Sequence, residues 1–499
     1  MTERVRVPTE RSDLGALAAA AREPEVTARL RKECARAFDL TRAPLLRTTL
    51  LTLGVEEAVF IFTIHHLVSD GWSSGVIIRD LAALYAAETG GVPAALPDMP
   101  VQFADYVAWQ AERLASPAAA RSLEYWKTKL AGTPVLNLAT DHPRPPAMSY
   151  AGATEYFTFP AELSQALGEL ARREGATLFQ VLLAGWSALL LRYTGQTDFA
   201  VGTSIANRGH PRLEPLIGFL TNTLVLRTPL DGDPPFAEVV ARTRAVASAA
   251  YEHAETPLER IIEAVQPDRT MSQNPLFQVC FSLLQAHRDA LRLGDGLTLE
   301  QLNVASATAR FDLTVTVEDT RAGLLVGVEY SRDLFEAATI GRMMRHYRAL
   351  LESAVAAPGT RIAALPILSA EERRTLLHDW NATKTAYPRE KCVHELFEAC
   401  AAATPDAPAV TAGGRTLTYS GLNALANRLA RRLRARGVGA DAGVAVCAER
   451  TLEMVVALVA VLKAGGHCLP FDPADAAERI NFLFEQVGAR VLRAPAEAQ

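Results

Sequence analysis

Two adjacent histidines open the stretch His65-His66-Leu-Val-Ser-Asp70-Gly71-Trp72-Ser73. An imidazole, with an ordinary pKa of about 6.5, takes a proton at neutral pH, which suits a general base or a group that positions an amine or hydroxyl nucleophile. Adjacent side chains on an extended backbone point opposite ways, so one histidine enters a cleft and the other packs or hydrogen-bonds. Asp70 is near enough to orient a ring or to anchor the loop through a salt bridge. Gly71 lets backbone or substrate approach closely. Paired histidines also bind metal, but no third His, Cys or carboxylate stands at a zinc spacing nearby, so no metal is expected. Spacing alone leaves a catalytic and a structural reading both open.

The elements that must carry these residues read as follows. Val59–Ile64 is a short run of β-formers, expected to be a strand buried on both faces, with the histidines at its mouth. Ser73 or Ser74 is expected to cap the next helix, which presents Ile77, Leu81, Leu84 and Tyr85 and ends at Gly90-Gly91. Residues 24–36 read as a helix with Val26, Leu30 and Cys34 on one face, and two more helices cover 102–115 and 118–131. The proline-rich stretch Ala139–Met148 cannot continue a helix or join a sheet interior, and reads as a crossing between two lobes. Beyond it lie strands at Thr154–Phe159, Phe199–Ser204, Thr223–Thr228, Phe277–Leu284, Leu313–Val317 and Leu325–Tyr330, with helices at Leu178–Leu191 and 336–356. A second boundary falls between 358 and 392, around Pro358, Pro366, Pro388 and the charged helix Ala370–His378. After it, a helix at 421–436, a strand at Val444–Ala448 and a helix at 452–464 suggest the opening of an α/β domain.

The chain has 499 residues, 49% hydrophobic and 21% charged, enough for more than one folded core. Its 51 Lys+Arg against 56 Asp+Glu, a formal charge of −5, argue against a nucleic-acid partner. The six cysteines form no C-x-x-C pair and read as reduced core thiols. The polar N-terminus is no secretion signal, and the longest apolar run, Met454–Leu462, falls short of the ~20 residues that span a bilayer. A soluble, cytoplasmic chain without a membrane partner is expected, and no repeat period indicates a solenoid.

The stretch His65–Ser73 resembles the H-H-x-x-x-D-G signature of nonribosomal peptide synthetase condensation domains, relatives of chloramphenicol acetyltransferase. Further matches follow in the family's order. Phe103-Ala-Asp-Tyr-Val-Ala-Trp-Gln110 is similar to Y-x-D-Y-A-x-W-Q, and Ile217-Gly-Phe-Leu-Thr-Asn-Thr223, running on to Arg227, to I-G-x-F-V-N-T…R. Asp268–Leu276 resembles a degraded R-D-x-S-R-N-P-L. The tail resembles the start of an adenylation domain: Leu417-Thr-Tyr-Ser-Gly-Leu422 is similar to L-T-Y-x-E-L, with Gly421 for Glu, and Leu462–Asp472 to L-K-A-G-x-A-Y-V-P-I-D.

The resemblance implies an α/β (α+β) fold: two chloramphenicol acetyltransferase-like lobes in a V-shaped pseudo-dimer, then an incomplete α/β adenylation segment. The expected boundaries are 1–132 for an N-terminal lobe truncated at its start, 133–150 for the crossing, 151–365 for the C-terminal lobe, 366–392 for a linker and 393–499 for the adenylation part. The implied reaction is attack by the amine of a downstream carrier-bound aminoacyl thioester on an upstream carrier-bound acyl thioester. His66 would hold the amine and take its proton, with His65 a packing residue beside it, Asp70 would organise the loop, and Gly71 would offer an amide to the oxyanion. Trp72, Ser73 and Asn222 would line the channel or brace the lobes. No intrinsic cofactor is implied. Substrates arrive on phosphopantetheine arms, the partners are peptidyl carrier domains and other synthetase modules, and no ATP binding is expected because the adenylation phosphate loop is absent. In the family an Arg from an upstream motif, not found here, pairs with the residue matching Asp70. Arg47 lies in a later segment and is not assigned that role. A stand-alone ester-forming acyltransferase and an inactive truncated fragment are the other readings.

Overall fold

The computed structural model describes residues 6–90, 93–99, 101–267, 270–285, 291–293, 296–300, 302, 307–472, 477–487 and 490–493. The chain divides into two compact units, Met1–Leu377 and His378–Gln499. The first begins β1 (Thr9–Asp13), α1 (Ala19–Ala35), β2 (Leu46–Thr52), β3 (Ala58–Ile64), α2 (Gly71–Gly90), α3 (Phe103–Leu114) and α4 (Pro117–Leu130). It continues β4 (Gly152–Pro160), α5 (Ala161–Arg173), α6 (Leu178–Thr194), β5 (Val201–Ile205), β6 (Asn222–Leu226), α7 (Phe236–Glu252), α8 (Leu258–Val265) and β7 (Val279–Gln285). A short hairpin, β8 (Leu291–Leu293) and β9 (Leu297–Leu299), precedes β10 (Leu313–Thr320), β11 (Gly323–Ser331), α9 (Ala337–Ala356) and α10 (Ala370–Arg374).

Strands β1-β2-β3 form a small sheet in which β1 runs parallel and β3 antiparallel to β2. Leu14, Val26, Leu51, Leu53 and Ile61 make its core, with α1 on that face. The expectation that β3 is buried on both faces is corrected: Phe60 and Phe62 are 41% and 37% exposed. The reason is that the alternating side chains of β3 divide between two faces: Ile61 is buried on the face toward α1, and among the described residues the face bearing Phe60 and Phe62 is left open. The inward position on α1 near its end belongs to Glu33, which is buried and ion-paired with the buried Arg47, while Cys34 is exposed. The reading of the cysteines as core thiols holds for Cys280 alone, where burial pushes the thiol up to about 11. Cys392 and Cys400 are exposed and Cys447 and Cys468 half-buried.

The large sheet has the order β4-β11-β10-β7-β5-β6. Its side chains meet α5, α6, α7 and α9 in one extended core that includes Trp186, Phe281 and Tyr347. Helix α6 is apolar nearly all round because it is enclosed on every side. Its ends are set by a Thr177/Gln180 capping box and by Gly195, whose φ of 71° closes the last turn. Trp126 and Leu130 of α4 join this core. The stretch Ala139–Met148 is neither helix nor strand, as its prolines require. No single helix among the described residues is long and apolar enough to cross a membrane.

The second unit holds α11 (Val393–Ala403), β12 (Pro408–Ala412), β13 (Arg415–Thr418), α12 (Tyr419–Ala435), β14 (Gly443–Cys447), α13 (Leu452–Ala464), β15 (His467–Phe471), α14 (Ala477–Val487) and β16 (Arg490–Arg493). Three parallel strands in the order β15-β14-β16 confirm the strand–helix alternation read from sequence. Lys463 is buried where it pairs with Glu398 and donates to Asn423 Oδ1 at 2.7 Å, tying α11, α12 and α13 together.

Candidate active site

Strand β3 ends at Ile64, and the chain turns through a single 3₁₀ turn, His66–Val68, into α2. The two imidazoles take opposite roles in that turn. His65 Nδ1 accepts the Leu67 amide at 3.0 Å, so its lone pair is occupied and any proton on the neutral ring sits on Nε2. His66 Nδ1 lies 2.6 Å from the Ser69 carbonyl, an acceptor only, so Nδ1 carries the proton and Nε2 keeps its lone pair. His65 is half-buried against Phe38, with ring centroids 5.8 Å apart. His66 is exposed and stands edge-on to Phe219, from the loop between β5 and β6, at 4.9 Å. Of the two rings, His66 is therefore the one that combines an accessible face with a free basic nitrogen.

Asp70, not Ser73 or Ser74, caps α2: its Oδ1 accepts the Ser73 amide at 2.9 Å. The carboxylate does more than cap. Oδ1 also accepts the Ser73 hydroxyl (2.8 Å) and Arg208 Nη2 (3.0 Å). Oδ2 accepts Arg208 Nη1 (2.9 Å), the Leu220 and Thr221 amides (3.1 and 3.2 Å) and the Thr221 hydroxyl (3.1 Å). Its side chain is 0% exposed and that of Arg208 2%. Burial alone would raise the carboxyl, but hydrogen bonds from Arg208 and Ser73 and the Arg208 charge outweigh it and hold the pKa at about 2.

Sequence reading left open which arginine, if any, pairs with Asp70; Arg208, three residues beyond β5, is that partner. Sequence reading missed Arg208. The only signal was a polar Asn207-Arg208-Gly209-His210 turn following a strand, and Asn207 does adopt the left-handed backbone, φ 51°, that such a turn needs. Arg47 takes no part here. It pairs instead with Glu33.

The remaining expected site residues fall around this hub. Gly71 is the first residue of α2, and a Cβ there would meet nothing within 4 Å. The Gly71 and Trp72 amides take no partner among the described residues, as the first turn of a helix requires of its donors. Trp72 Nε1 donates to the Glu214 carbonyl at 2.8 Å, and the fully buried Ser73 hydroxyl accepts the Gly218 amide at 3.1 Å, so both join α2 to the β5–β6 loop. Asn222 acts one step away. Its amide donates to the Ala254 and Thr256 carbonyls (2.8 and 2.7 Å) in the α7–α8 connection, whose His253 carbonyl in turn accepts Trp126 Nε1 of α4 at 3.0 Å. Phe103 and Tyr106 of α3 pack with Leu213, Leu216 and Leu220. A side chain at Gly218 would strike the Phe103 ring at 2.3 Å. Of the fourth motif, Asp268 and Arg269 lie outside the described residues. Asn274 donates to the Arg310 carbonyl at 2.9 Å, away from the site.

Two segments far apart in sequence, the head of α2 and the β5–β6 loop, therefore meet at Asp70. The family model for the Condensation domain matches residues 1–377, and that for AMP-binding enzyme matches 397–499. The chain belongs to the condensation-domain family. Over 483 residues this condensation chain is 44% identical to chondramide synthase cmdD of Chondromyces crocatus, covering 96% of the chain and 12% of that synthase. Phosphinothricin tripeptide synthetase PhsC of Streptomyces viridochromogenes is 39% identical over 97% of the chain and 45% of its own length. The chain thus spans less than half the length of these curated relatives. Among solved structures, a four-domain nonribosomal peptide synthetase bound to AMP and glycine has the same fold, with a TM-score of 0.81, 23% identity, and coverage of 99% of this chain and 38% of that one. The X-domain from teicoplanin biosynthesis matches with a TM-score of 0.64 and 29% identity, over 73% of this chain and 82% of that one. The mixed α/β condensation fold and the start of an adenylation fold expected from the motifs are both present.

Proposed function

We propose that this chain forms an amide bond between two carrier-bound thioesters, in the manner of the synthetases it resembles. The observation that carries this reading is the unoccupied Nε2 lone pair of an exposed His66, fixed by the Nδ1–H bond to the Ser69 carbonyl. A neutral α-amine placed there attacks the acyl thioester carbonyl. As the C–N bond forms, His66 Nε2 accepts the amine proton. The carbonyl oxygen, now negative, faces the free Gly71 and Trp72 amides at the positive end of α2. Collapse breaks the C–S bond, and the departing thiolate receives the proton that His66 holds. No ATP is consumed, because the thioester already carries the activation. Asp70 and Arg208 bear on the reaction by fixing the loop, not by touching substrate. Upstream and downstream phosphopantetheinyl carriers are the partners this reading requires.

An alcohol acceptor would use the same nitrogen and give an ester. The adenylation-like second unit favours the amine, since that fold accompanies aminoacyl loading in the family the motifs resemble. The test is turnover of an acyl-pantetheine thioester with an aminoacyl-pantetheine thioester, and with its hydroxy analogue, by the full chain. His66→Ala is expected to lower amide formation by about 100- to 10,000-fold, the usual range for removing a positioned general base. Its melting midpoint should hold, because the ring is exposed. Full activity in His66→Ala, or preference for the hydroxy analogue, would overturn the reading. A chain showing no cooperative melt would be the inactive fragment instead.

A further inference from the structure

His65 does not face the reaction, yet its nitrogen sets the turn that bears His66. Accepting the Leu67 amide makes the imidazole the N-cap of the 3₁₀ turn His66–Val68, the job an Asn or Asp side chain does in an Asx turn. Such a cap works only if the ring is held with Nδ1 toward the backbone. The ring's neighbour is Phe38, edge to face at 5.8 Å with an interplanar angle of 82°. The other occupant of the Phe38 ring is Arg47, its guanidinium carbon 4.0 Å from the centroid. Arg47 is in turn fixed by the buried Glu33 carboxylate and by the Glu33 and Arg36 carbonyls, at 2.9 and 2.6 Å. The chain of contact runs from a buried ion pair, through one aromatic ring, to the cap of the reacting turn. Backbone pairing reinforces it, because the His65 amide donates to the Leu45 carbonyl at 2.9 Å, two residues from Arg47.

We propose that Phe38 and Arg47 are positioning residues for the reaction, holding the His65 ring so that its Nδ1 caps the turn that presents His66. This rests on the reading of His66 as the amine's partner. A loosened cap leaves substrate binding intact and lets His66 wander, and misplacement of a reacting group by about 1 Å costs up to about 100-fold in rate. The signature is therefore a fall in kcat without a matching rise in either KM.

The experiment uses four variants of the full chain. Phe38→Leu keeps apolar volume and removes the ring. Glu33→Leu/Arg47→Met removes the cation together with its counter-charge, so that no buried charge is left unpaired. His65→Leu is set against His65→Asn, whose side chain can accept the Leu67 amide in the same way. Turnover of the two pantetheine thioesters is measured, and long-range ¹⁵N–¹H spectra record which nitrogen of each imidazole carries the proton. Expected are a single Nε2–H form for His65 in the native chain, mixed forms in Phe38→Leu and in the double variant, and a kcat about tenfold lower in both with each KM within about twofold. His65→Asn should recover most of the kcat lost in His65→Leu. A Phe38→Leu variant with native kcat and an unmixed His65 signal overturns the proposal, as does His65→Asn no better than His65→Leu. If the native chain turns nothing over, the functional reading fails, while the spectra still decide whether Phe38 and Arg47 hold the ring.

Discussion

The path β2–β3–α2 has a counterpart in the same unit. Strands β10 and β11 form an antiparallel hairpin with β7 parallel to β10, as β2 and β3 do with β1 parallel to β2. A short connection then enters a twenty-residue helix in each case, α2 or α9. The two connections are filled in opposite ways. After β11, Leu334 and Phe335 are each 2% exposed and belong to the main core, and β4 lies on the strand's far edge. After β3, His66, Leu67 and Val68 are exposed, and the buried pair is Ser69 and Asp70. The caps differ too. Helix α2 is capped from within its own connection by Asp70, whereas α9 takes its cap from Asp141, whose Oδ2 accepts the Glu336 amide at 2.9 Å. One topology thus serves as a packed joint in one place and, in the function proposed, as the reaction site in the other. What distinguishes the site is that hydrophobic fill is replaced by a paired carboxylate, leaving the imidazole open.

That contrast can be broken at its strongest point first. Removing either member of the Asp70–Arg208 pair leaves a buried charge alone, which typically costs 3–5 kcal/mol. Asp70→Ala or Arg208→Ala should therefore lower unfolding stability by about that much in urea and abolish amide formation with it. Leu334→Ala, at the equivalent joint, should cost about 2–5 kcal/mol through the cavity it opens. If Asp70→Ala proves the milder of the two, the polar joint is not what fixes the α2 connection.

The same pair predicts a response to acid. Asp70 is held at about 2, below its ordinary 3.8. Its contribution to stability is therefore complete above about pH 4 and is lost as pH falls from there toward 2. At about 1.4 kcal/mol per unit the loss amounts to roughly 2 kcal/mol. Melts between pH 5 and 2 should show it, and the part due to this group should vanish in Asp70→Asn. A native chain and an Asp70→Asn chain that lose stability in parallel over this range would show that Arg208 does not hold the carboxylate as described.

How far the sequence foretold this follows from the range of the interactions. The strand before the histidines, the helix after them and most of the large sheet's strands are written in local periodicity and turn residues, and they stand where expected. The polar cluster His65–Ser73 was legible because its members lie within nine consecutive positions. Arg208 was not, since its partner is 138 residues away and nothing local marks a guanidinium for a remote carboxylate. The exposed face of β3 was misread because a run of β-formers looks alike whether one or both faces are covered. The division of labour between His65 and His66 depends on two hydrogen bonds to backbone atoms, which residue identity alone leaves undetermined.

The smallest effect sharpens the comparison from the other side. Asp141 lies in the proline-rich stretch and is exposed, yet it caps α9 at the Glu336 amide and also accepts the Thr339 hydroxyl at 2.8 Å. An exposed cap replaced by alanine costs about 1 kcal/mol, because water takes over the freed donors. Asp141→Ala should therefore lower the urea midpoint slightly and leave kcat and both KM values unchanged, since α9 carries no reacting group. Asp70 makes the same kind of cap but is buried and charged against Arg208, so its loss is expected to cost several times more. The ratio of the two measured losses isolates what burial and the arginine add to a bare helix cap. A ratio near one would mean that Asp70 acts as a cap and nothing else, and the hub at the head of α2 would have to be reinterpreted as ordinary helix capping.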